Sequence, residues 1–399
     1  MQKVTNLIHR DIFPQLLAHL SEQEVTVITG MRRTGKTTSV HYLLEQIPHN
    51  NKIYIDLERL EDRAIFKQPN FSDIESGLRF KGIDFTKDSA IALDEVQLVP
   101  EIVSFIKYYH DHYPVKFIIS GSSSYYLKNR FTESLAGRKH IFELYPLSFR
   151  EFLRFHDIPD TTINQFRLIP YNRVVFTTYK HLYESYIQFG GFPQVVLSSS
   201  ENQKKRFLSD ILNSYIELDV KLLSDFSVID DLYKLISLLA SRIGQRLDIS
   251  KLSSIMGLGR AKLKSYIDLL ERTYFLHLVR PFTGSIDRAI AKQPKVYLAD
   301  TGLINQLAKI HGGSLFENAA ALQLMPLGAL QYFQLKSGQE IDFIMNESSA
   351  YEVKETPTSK DLKTLQKRSA LLNIEDIHLI GRTPPANNFE NFIWGGSIF

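Results

Sequence analysis

Residues 30–37 read Gly-Met-Arg-Arg-Thr-Gly-Lys-Thr and match the pattern of a phosphate-binding loop, G-x-x-x-x-G-K-[ST]. Gly30 and Gly35 permit the tight backbone path of such a loop, which turns several N–H groups toward one anionic group. In this pattern Lys36 reaches the β- and γ-phosphates of a nucleotide, and the Thr37 hydroxyl ligates Mg²⁺. The predicted nucleotide-binding loop comprises Gly30, Met31, Arg32, Arg33, Thr34, Gly35, Lys36, Thr37 and Thr38.

The segments on both sides of this loop support the same interpretation. Residues 24–29 are apolar or β-branched after Glu24 and predict a short buried strand, and residues 38–47 predict the helix that follows. A strand that leads through a glycine loop into a helix amino terminus is the context that the motif requires. A chance match in a glycine-containing loop is the alternative, and the two flanking segments make it the weaker one.

A second apolar run, residues 90–93, ends in Asp94 and Glu95. A buried parallel strand has this composition, and its carboxyl end is where ligands bind in open α/β sheets. Asp94 is predicted to hold Mg²⁺ through water. Glu95 is predicted to polarise the attacking water, because in-line phosphoryl transfer needs a positioned nucleophile. The adjacent acids favour ATP hydrolysis over a small-molecule kinase or a GTPase switch, and a solvated Asp-Glu turn is the alternative.

Polar residues at the ends of two further predicted strands complete the candidate set. Ser120 and Ser122 follow the apolar residues 117–119 and are candidates to contact the γ-phosphate or its water, with helix capping as the alternative. Arg138 precedes a predicted strand at residues 141–144, and we expect it near the carboxyl edge of the sheet. There it would reach a neighbouring subunit's γ-phosphate as an arginine finger. A surface salt bridge is an equally weighted alternative.

Together with the segment Tyr145–Phe152, these motifs resemble a bacterial and archaeal family of AAA+-type ATPases whose members carry a carboxy-terminal domain of unknown function. The resemblance extends over essentially the whole chain. It implies an α/β core with a parallel sheet in the order 5-1-4-3-2, a small helical lid, and ATP shared between neighbouring subunits of a homo-oligomer. AAA+ proteins often have an Asn or Thr that senses phosphate at this position, where this chain has Ser120.

The middle of the chain has helical spacing, which predicts the lid, a linker and then a winged helix. Three helical segments between residues 231 and 270 are followed by predicted strands at residues 274–282 and 295–298. Arg260 and Lys264 share the exposed face of the third helix, where a DNA-reading helix would contact phosphates. Two cations are few, so a winged helix that binds protein is a slightly favoured alternative.

A second possible chemistry lies in the carboxy-terminal third, where two predicted strands flank residues 346–349. Asp342 on one strand and Glu352-x-Lys354 on the next resemble the core of PD-(D/E)XK nucleases. In such a site Asp342 and Glu352 would bind Mg²⁺ and Lys354 would orient water for phosphodiester attack. Glu317, on a predicted helix, is a further candidate ligand. An inactive nucleic-acid-binding domain and an unrelated salt-bridged hairpin remain alternatives.

The nuclease hypothesis makes a geometric prediction. Opposed residues of an antiparallel pair point to the same side of a sheet, and a one-residue slip reverses this. Asp342 must therefore lie opposite Glu352, which requires Ile344 to face Ala350 and leaves residues 346–348 as the loop.

Composition limits the class of protein. At 399 residues, with 44% apolar and 23% charged residues, the chain is expected to form two or three globular domains. The net charge of +3 gives no overall field for nucleic acid, and the absence of cysteine excludes disulfides and thiolate chemistry. No run reaches membrane-spanning length and no secretory signal is recognised, so we expect a cytoplasmic protein without membrane contact.

The predicted α/β chain is therefore an ATP- and Mg²⁺-dependent ATPase that acts on DNA or a partner protein. The alternatives are an ATP-gated DNA nuclease and a non-enzymatic ATP-dependent binding switch. The predicted domains are the P-loop core (1–147), the helical lid and linker (148–229), the winged helix (230–285) and the nuclease-like α/β domain (286–399).

Overall fold

The computed structural model forms two compact units, Met1–Tyr145 with Arg272–Tyr274 and Pro146–Glu271 with Phe275–Phe399. The residues that the structure describes are 7–121, 135–168, 171–220, 229–283, 292–310, 312–335, 337–386 and 389–399.

Within these residues, the amino-terminal unit contains a five-stranded sheet in the order β2-β3-β4-β1-β5, with every neighbouring pair parallel. Read from the other edge this is 5-1-4-3-2, so the predicted order is confirmed. The strands are β1 (Val25–Thr29), β2 (Lys52–Asp56), β3 (Ser89–Asp94), β4 (Val115–Gly121) and β5 (Lys139–Glu143).

Both faces of this sheet are covered, because successive side chains of a strand point to opposite faces. In β3, Ile91 and Leu93 join one apolar cluster, whereas Ala90 and Ala92 join the other. The carboxyl edge of the sheet is left for the loops that follow the strands. The helices of this unit are α1 (Phe13–Ala18), α2 (Lys36–Gln46), α3 (Leu60–Phe66), α4 (Phe71–Phe80) and α5 (Ile102–His112).

The second unit begins with helices whose starts carry local capping signals. Ser148 and Glu151 form a reciprocal capping box at the first of them, and Asn172 caps the longest through the N–H groups of Val174 and Val175. These helices are α6 (Phe149–Phe155), α7 (Asp160–Leu168), α8 (Arg173–Phe189), α9 (Pro193–Val196), α10 (Glu201–Ser214), α11 (Ile229–Ala240), α12 (Ile249–Met256) and α13 (Arg260–Arg272), with a π-helical segment at Tyr215–Val220.

In the described part of the second unit, seven strands form a mixed sheet in the order β12-β11-β10-β9-β8-β6-β7. β6 pairs antiparallel with β7 and parallel with β8. The boundary expected at residue 285 therefore falls inside one continuous sheet, because the strands on either side of it are hydrogen-bonded neighbours. The strands are β6 (Leu276–Pro281), β7 (Lys295–Leu298), β8 (Leu330–Gln334), β9 (Glu340–Met345), β10 (Ser349–Lys354), β11 (Asp376–Gly381) and β12 (Phe392–Trp394).

The hairpin of β9 and β10 has the register that the nuclease hypothesis requires. Ile344 faces Ala350, and Asn346 and Glu347 in the turn have φ of 49° and 59°. Continuing the register places Asp342 opposite Glu352. The remaining helices are α14 (Thr301–Leu307), α15 (Gly312–Leu324) and α16 (Ser359–Ala370), and α16 contributes Leu365 to the core under the hairpin. None of the described helices is long and apolar enough to cross a membrane.

Candidate functional site

The loop after β1 needs glycine at both of its ends. Gly30 has φ of 149°, and a Cβ there would lie 2.1 Å from the carbonyl oxygen of Leu144. Leu144 is fixed in this position because its N–H donates to the Thr29 carbonyl at 2.7 Å. Gly35 has φ of 101° and immediately precedes α2, so the first N–H groups of α2 face the inside of the loop. This arrangement suits an anionic ligand.

The side chain of Lys36 lies inside the loop and is only 4% exposed. Its Nζ donates to the carbonyl oxygens of Gly30 at 3.1 Å and Met31 at 2.9 Å. Both partners are neutral dipoles, and a hydrogen bond between an ammonium group and a phosphate is stronger. The loop therefore holds a positive charge at the point toward which its N–H groups turn.

Arg10, which the sequence analysis did not identify, anchors this loop from the amino-terminal segment. Its Nη1 donates to the Thr34 carbonyl and its Nη2 to the Tyr145 carbonyl, both at 2.8 Å. The Thr34 hydroxyl in turn donates to the Met31 carbonyl at 2.9 Å. The sequence signal was weak, since one buried arginine among apolar residues has no recognisable spacing to the loop.

Asp94, at the end of β3, accepts hydrogen bonds from several hydroxyl groups. The Thr37 hydroxyl donates to Oδ2 at 2.7 Å, the Tyr54 hydroxyl donates to the same oxygen at 2.8 Å, and the Ser120 hydroxyl donates to Oδ1. Burial, and then the charge of Asp94, raise the pKa of Tyr54, so Tyr54 stays a donor at neutral pH. The structure thus brings together Thr37, Asp94 and Ser120, and it adds Tyr54 from the middle of β2.

Glu95 has a left-handed backbone conformation, with φ of 58° and ψ of 47°. This conformation costs a residue other than glycine about 1–2 kcal/mol and recurs at functional sites. Its N–H donates to the Ser120 hydroxyl at 3.4 Å, and Gln97 Nε2 donates to its carboxylate. Ser120, whose hydroxyl donates to Asp94, thus also contacts the residue that follows it.

The other loop residues have different surroundings. Met31 is buried, whereas Arg33, Thr37 and Thr38 are exposed. Arg32 is half-buried, and its Nη1 lies 3.2 Å from Oε1 of Glu58.

Arg138 lies at the opposite edge of the sheet from the one expected. It directly precedes β5, and its carbonyl accepts from the N–H of Val25, the first residue of β1. The expectation was wrong because a residue that precedes a parallel strand lies where the neighbouring strands begin. Its Nε lies 2.6 Å from Asp111 Oδ1, and this hydrogen bond lowers the pKa of Asp111 to about 2. The length of β1, about 15 Å, separates Arg138 from the phosphate loop of its own chain.

Ser122, the remaining candidate, lies outside the described residues.

A second group of charged side chains lies on the sheet of the other unit. We call Glu317, Glu340, Asp342 and Glu352 the carboxylate cluster. Asp342 Oδ2 accepts from the N–H of Val353 at 2.9 Å, which ties β9 to β10.

Cations of the same unit already neutralise much of this cluster. Lys295 on β7 is 1% exposed. Its Nζ lies 3.0 Å from Glu340, 3.5 Å from Glu317 and 3.6 Å from Asp342. Lys354 Nζ donates to Glu352 at 2.8 Å, and Arg368 lies 3.5 Å from Glu352.

The pKa shifts reflect this mutual burial. Burial opposes the charged form of Lys295, but the charges of Glu317, Asp342 and Glu340 together raise its pKa. Burial, and then the charge of Asp342, raise the pKa of both Glu317 and Glu352 above the usual carboxyl range.

Among the described residues, one group has the spacing of a possible metal site. The ligand atoms of His19, Glu24 and His140 all lie within 4.8 Å of one another. His19 is already bonded at both ring nitrogens, to Thr26 at 2.8 Å and to Glu24 at 3.3 Å. The Lys116 ammonium also donates to the carbonyls of His19 and Glu24. These contacts explain the group without an ion.

Comparison with known proteins assigns the amino-terminal part of the chain. Residues 22–153 match the model of a family described as AAA domain. The match and the sheet order show that this part has an AAA-type P-loop fold. Residues 180–314 match a family described as Domain of unknown function (DUF8612), which assigns no activity to them.

Relatives with similar sequences cover most of the chain. An uncharacterized protein of Methanocaldococcus jannaschii is 25% identical over 398 residues, covering 94% of this chain and 85% of the relative. One of Haemophilus influenzae is 25% identical over 352 residues, covering 85% and 84%. One of Mycobacterium bovis is 23% identical over 384 residues, covering 92% and 78%.

The similar solved structures include DNA- and nucleotide-bound proteins. The Aeropyrum pernix ORC1 protein in complex with DNA is 13% identical with a TM-score of 0.33, covering 80% of this chain and 95% of that chain. The Aeropyrum pernix ORC2 protein is 11% identical with a TM-score of 0.41, covering 77% and 91%. AMPPCP-bound DnaA from Aquifex aeolicus is 15% identical with a TM-score of 0.27, covering 65% and 86%.

Proposed function

We propose that the amino-terminal unit binds ATP with Mg²⁺ and hydrolyses it. The observation that carries this proposal is the 2.7 Å hydrogen bond between Thr37 and Asp94, residues that are 57 positions apart in the sequence. A hydroxyl and a carboxylate at the amino terminus of a helix are the oxygen donors that Mg²⁺ and a nucleotide phosphate require together. Both groups would hold the ion, which when bound neutralises charge that develops on the phosphate oxygens.

The chain's own residues supply the other functions of such a site. Lys36 exchanges its carbonyl partners for the phosphates. The contacts of its ammonium group hold the nucleotide and draw charge from the γ-phosphate. Glu95 orients and polarises the attacking water, since it directly follows Asp94 at the carboxyl edge and its carboxylate accepts from Gln97 Nε2. Ser120 donates to Asp94 and accepts from the N–H of Glu95, so it fixes the two acids relative to each other.

Substitution of Lys36 and Glu95 tests this proposal. Lys36→Ala should lose nucleotide binding. Glu95→Gln should retain binding but slow hydrolysis by roughly two to three orders of magnitude, because only the positioning of water is removed. Glu101→Gln, the same change at an exposed residue before α5, is the matched control. Unimpaired hydrolysis by the Glu95→Gln protein would contradict the assignment of Glu95.

We further propose that ATP turnover acts on DNA or on a partner protein through the second unit. Helices α11 to α13 and the antiparallel strands β6 and β7 occur in the order of a winged helix, and Arg260 and Lys264 on α13 are exposed. Stimulation of ATP hydrolysis by single- or double-stranded DNA would support a nucleic-acid target. ATP hydrolysis that neither single- nor double-stranded DNA stimulates would favour a protein target.

A second candidate activity is metal-dependent phosphodiester cleavage at the carboxylate cluster. The observation that favours it is the β9–β10 register, which sets Asp342 opposite Glu352 with Lys354 beside Glu352. The Lys295 ammonium opposes it, because a positive charge within 3.6 Å of Asp342 and Glu317 disfavours a second cation there.

Cleavage of plasmid DNA with Mg²⁺, lost in Asp342→Ala, would support this candidate. The absence of cleavage by a protein that hydrolyses ATP would favour a nuclease-like domain without activity. A protein that binds ATP without hydrolysing it would support a non-enzymatic binding switch.

A further inference from the structure

Arg32 is an arginine within the phosphate loop itself, two residues after Gly30. Its side chain is 14% exposed, and its partner Glu58, two residues beyond the end of β2, is 55% exposed. The guanidinium group is thus held at the surface of the carboxyl edge by a carboxylate that is largely in water.

The order of the strands shows which region this ion pair spans. β1 and β2 are separated by β4 and β3, so their ends are about 14 Å apart at the usual strand spacing. The ends of the intervening strands carry Ser120 and Asp94. The Leu57 N–H donates to the Asp94 carbonyl at 3.2 Å, so Glu58, the next residue, follows a residue that is bonded to the end of β3, and Arg32 meets it there.

The same edge would face the γ-phosphate of a bound nucleotide. Thr37 and Asp94 mark the metal position there, and Glu95 follows Asp94 directly. A guanidinium group that meets Glu58 at this edge can therefore turn toward the terminal phosphate.

The energetics favour an exchange of partners. An ion pair with an exposed carboxylate contributes little, because the carboxylate remains largely hydrated. A guanidinium group binds phosphate with two parallel hydrogen bonds, which are stronger in a partly buried site. The contact with Glu58 thus fixes the direction of Arg32 without competing strongly with a phosphate.

On the basis of the proposed ATP site, we propose that Arg32 contacts the γ-phosphate of the nucleotide bound to its own chain, and that Glu58 holds it ready until the nucleotide arrives. Arg32 thereby distinguishes ATP from ADP. This role differs from that of an arginine supplied by a neighbouring subunit, because it requires no second chain.

Calorimetric titration with a non-hydrolysable ATP analogue and with ADP tests this role. Arg32→Ala should weaken binding of the analogue by about 10- to 100-fold, the loss of a charge-assisted hydrogen bond, and leave ADP binding within about twofold. Arg32→Lys should retain part of the difference, since it keeps the charge but not the paired geometry. Glu58→Gln should tighten binding of the analogue a few-fold.

Arg59→Ala, an exposed arginine adjacent to Glu58 that pairs with Glu61, is the matched control and should change neither affinity. Circular dichroism verifies that each variant is folded, and Arg32→Gln serves if the alanine variant is not. Equal weakening of the analogue and ADP, or no change in either, would overturn the role of Arg32 alone. Failure of the wild-type protein to bind either nucleotide would overturn both the ATP site and this role.

Discussion

The phosphate loop and the carboxylate cluster both combine acids with a buried lysine, but they balance charge differently. In the amino-terminal unit, Lys36 donates to backbone carbonyls and Asp94 accepts from hydroxyl groups. In the other unit, Lys295 lies among the carboxylates of Glu317, Glu340 and Asp342. At the phosphate loop, charged side chains form hydrogen bonds with neutral carbonyl and hydroxyl groups. In the carboxylate cluster, charged side chains pair with opposite charges.

The partners of Lys36 and Lys295 indicate different roles for the two lysines. A charge held by neutral dipoles is available to a charged ligand, since the exchange strengthens its hydrogen bonds. A buried charge paired with opposite charges stabilises the fold only while its partners remain, because removing one leaves the others uncompensated. We therefore expect the phosphate loop to be a ligand site and Lys295 to be a structural cation.

The largest effects should come from the same substitution at the two lysines. Lys36→Met should weaken nucleotide binding by more than about 100-fold and lower the stability by only about 1 kcal/mol, because its partners are neutral. Lys295→Met should lower the stability by about 3–5 kcal/mol and leave nucleotide binding unchanged. Urea unfolding midpoints and nucleotide titrations measure both quantities, and each variant is the control for the other.

Adding Mg²⁺ extends the comparison of these two variants. If the carboxylate cluster can hold a divalent ion once Lys295 is removed, millimolar Mg²⁺ should raise the unfolding midpoint of Lys295→Met and not that of the wild type. Equal stability of Lys295→Met and the wild type in EDTA would contradict the structural role of Lys295.

Arg138 tests whether a second copy of the chain completes the nucleotide site. If it acts in trans, Arg138→Ala should reduce hydrolysis by about 100- to 1,000-fold, near the lower range for arginine fingers. Hydrolysis per subunit should then rise with protein concentration, and mixing Arg138→Ala with Glu95→Gln subunits should restore part of it. Asp111→Asn removes the observed ion pair but keeps the cation, so it should remain active. A monomeric, concentration-independent ATPase would exclude action in trans.

A smaller effect is expected at Tyr54, which donates to Asp94. Tyr54→Phe removes one of the hydroxyl donors that orient this candidate metal ligand, and partners of this kind typically change metal affinity by about 10-fold or more. The Mg²⁺ concentration for half-maximal ATP hydrolysis should rise accordingly. Tyr108→Phe, at a more exposed position on α5, is the control. An unchanged Mg²⁺ requirement would show that Thr37 and Ser120 suffice to orient Asp94.

The smallest effect is the pH dependence of stability contributed by Glu317. Its pKa is raised in the folded state above the ordinary value of 4.5, so folding favours its protonated form. The stability that this contributes is complete below pH 4.5 and is lost as the pH rises through the raised pKa. In EDTA, the melting temperature of the wild type should therefore fall relative to that of Glu317→Gln as the pH approaches neutrality. The exposed Glu347→Gln should show no such difference, and parallel pH profiles for all three proteins would contradict the raised pKa.

The sequence by itself predicted the elements whose rules are local. The glycines, Lys36 and Thr37 of the phosphate loop are recognisable because a tight loop before a helix tolerates few residue types. The sheet order followed from the family resemblance. Alternation and a short loop limited the β9–β10 hairpin to few registers, of which the structure has the one that the nuclease hypothesis requires.

Only the tertiary structure decided which distant groups share a site. Arg10, Tyr54 and Lys295 have no recognisable spacing to the loop, to Asp94 or to Glu317, since periodicity records which face is buried and not which distant side chain lies there. The ion pairs of Arg138 with Asp111 and of Arg32 with Glu58 each join residues of separate elements. These features arise from packing between elements, which a single sequence does not encode locally.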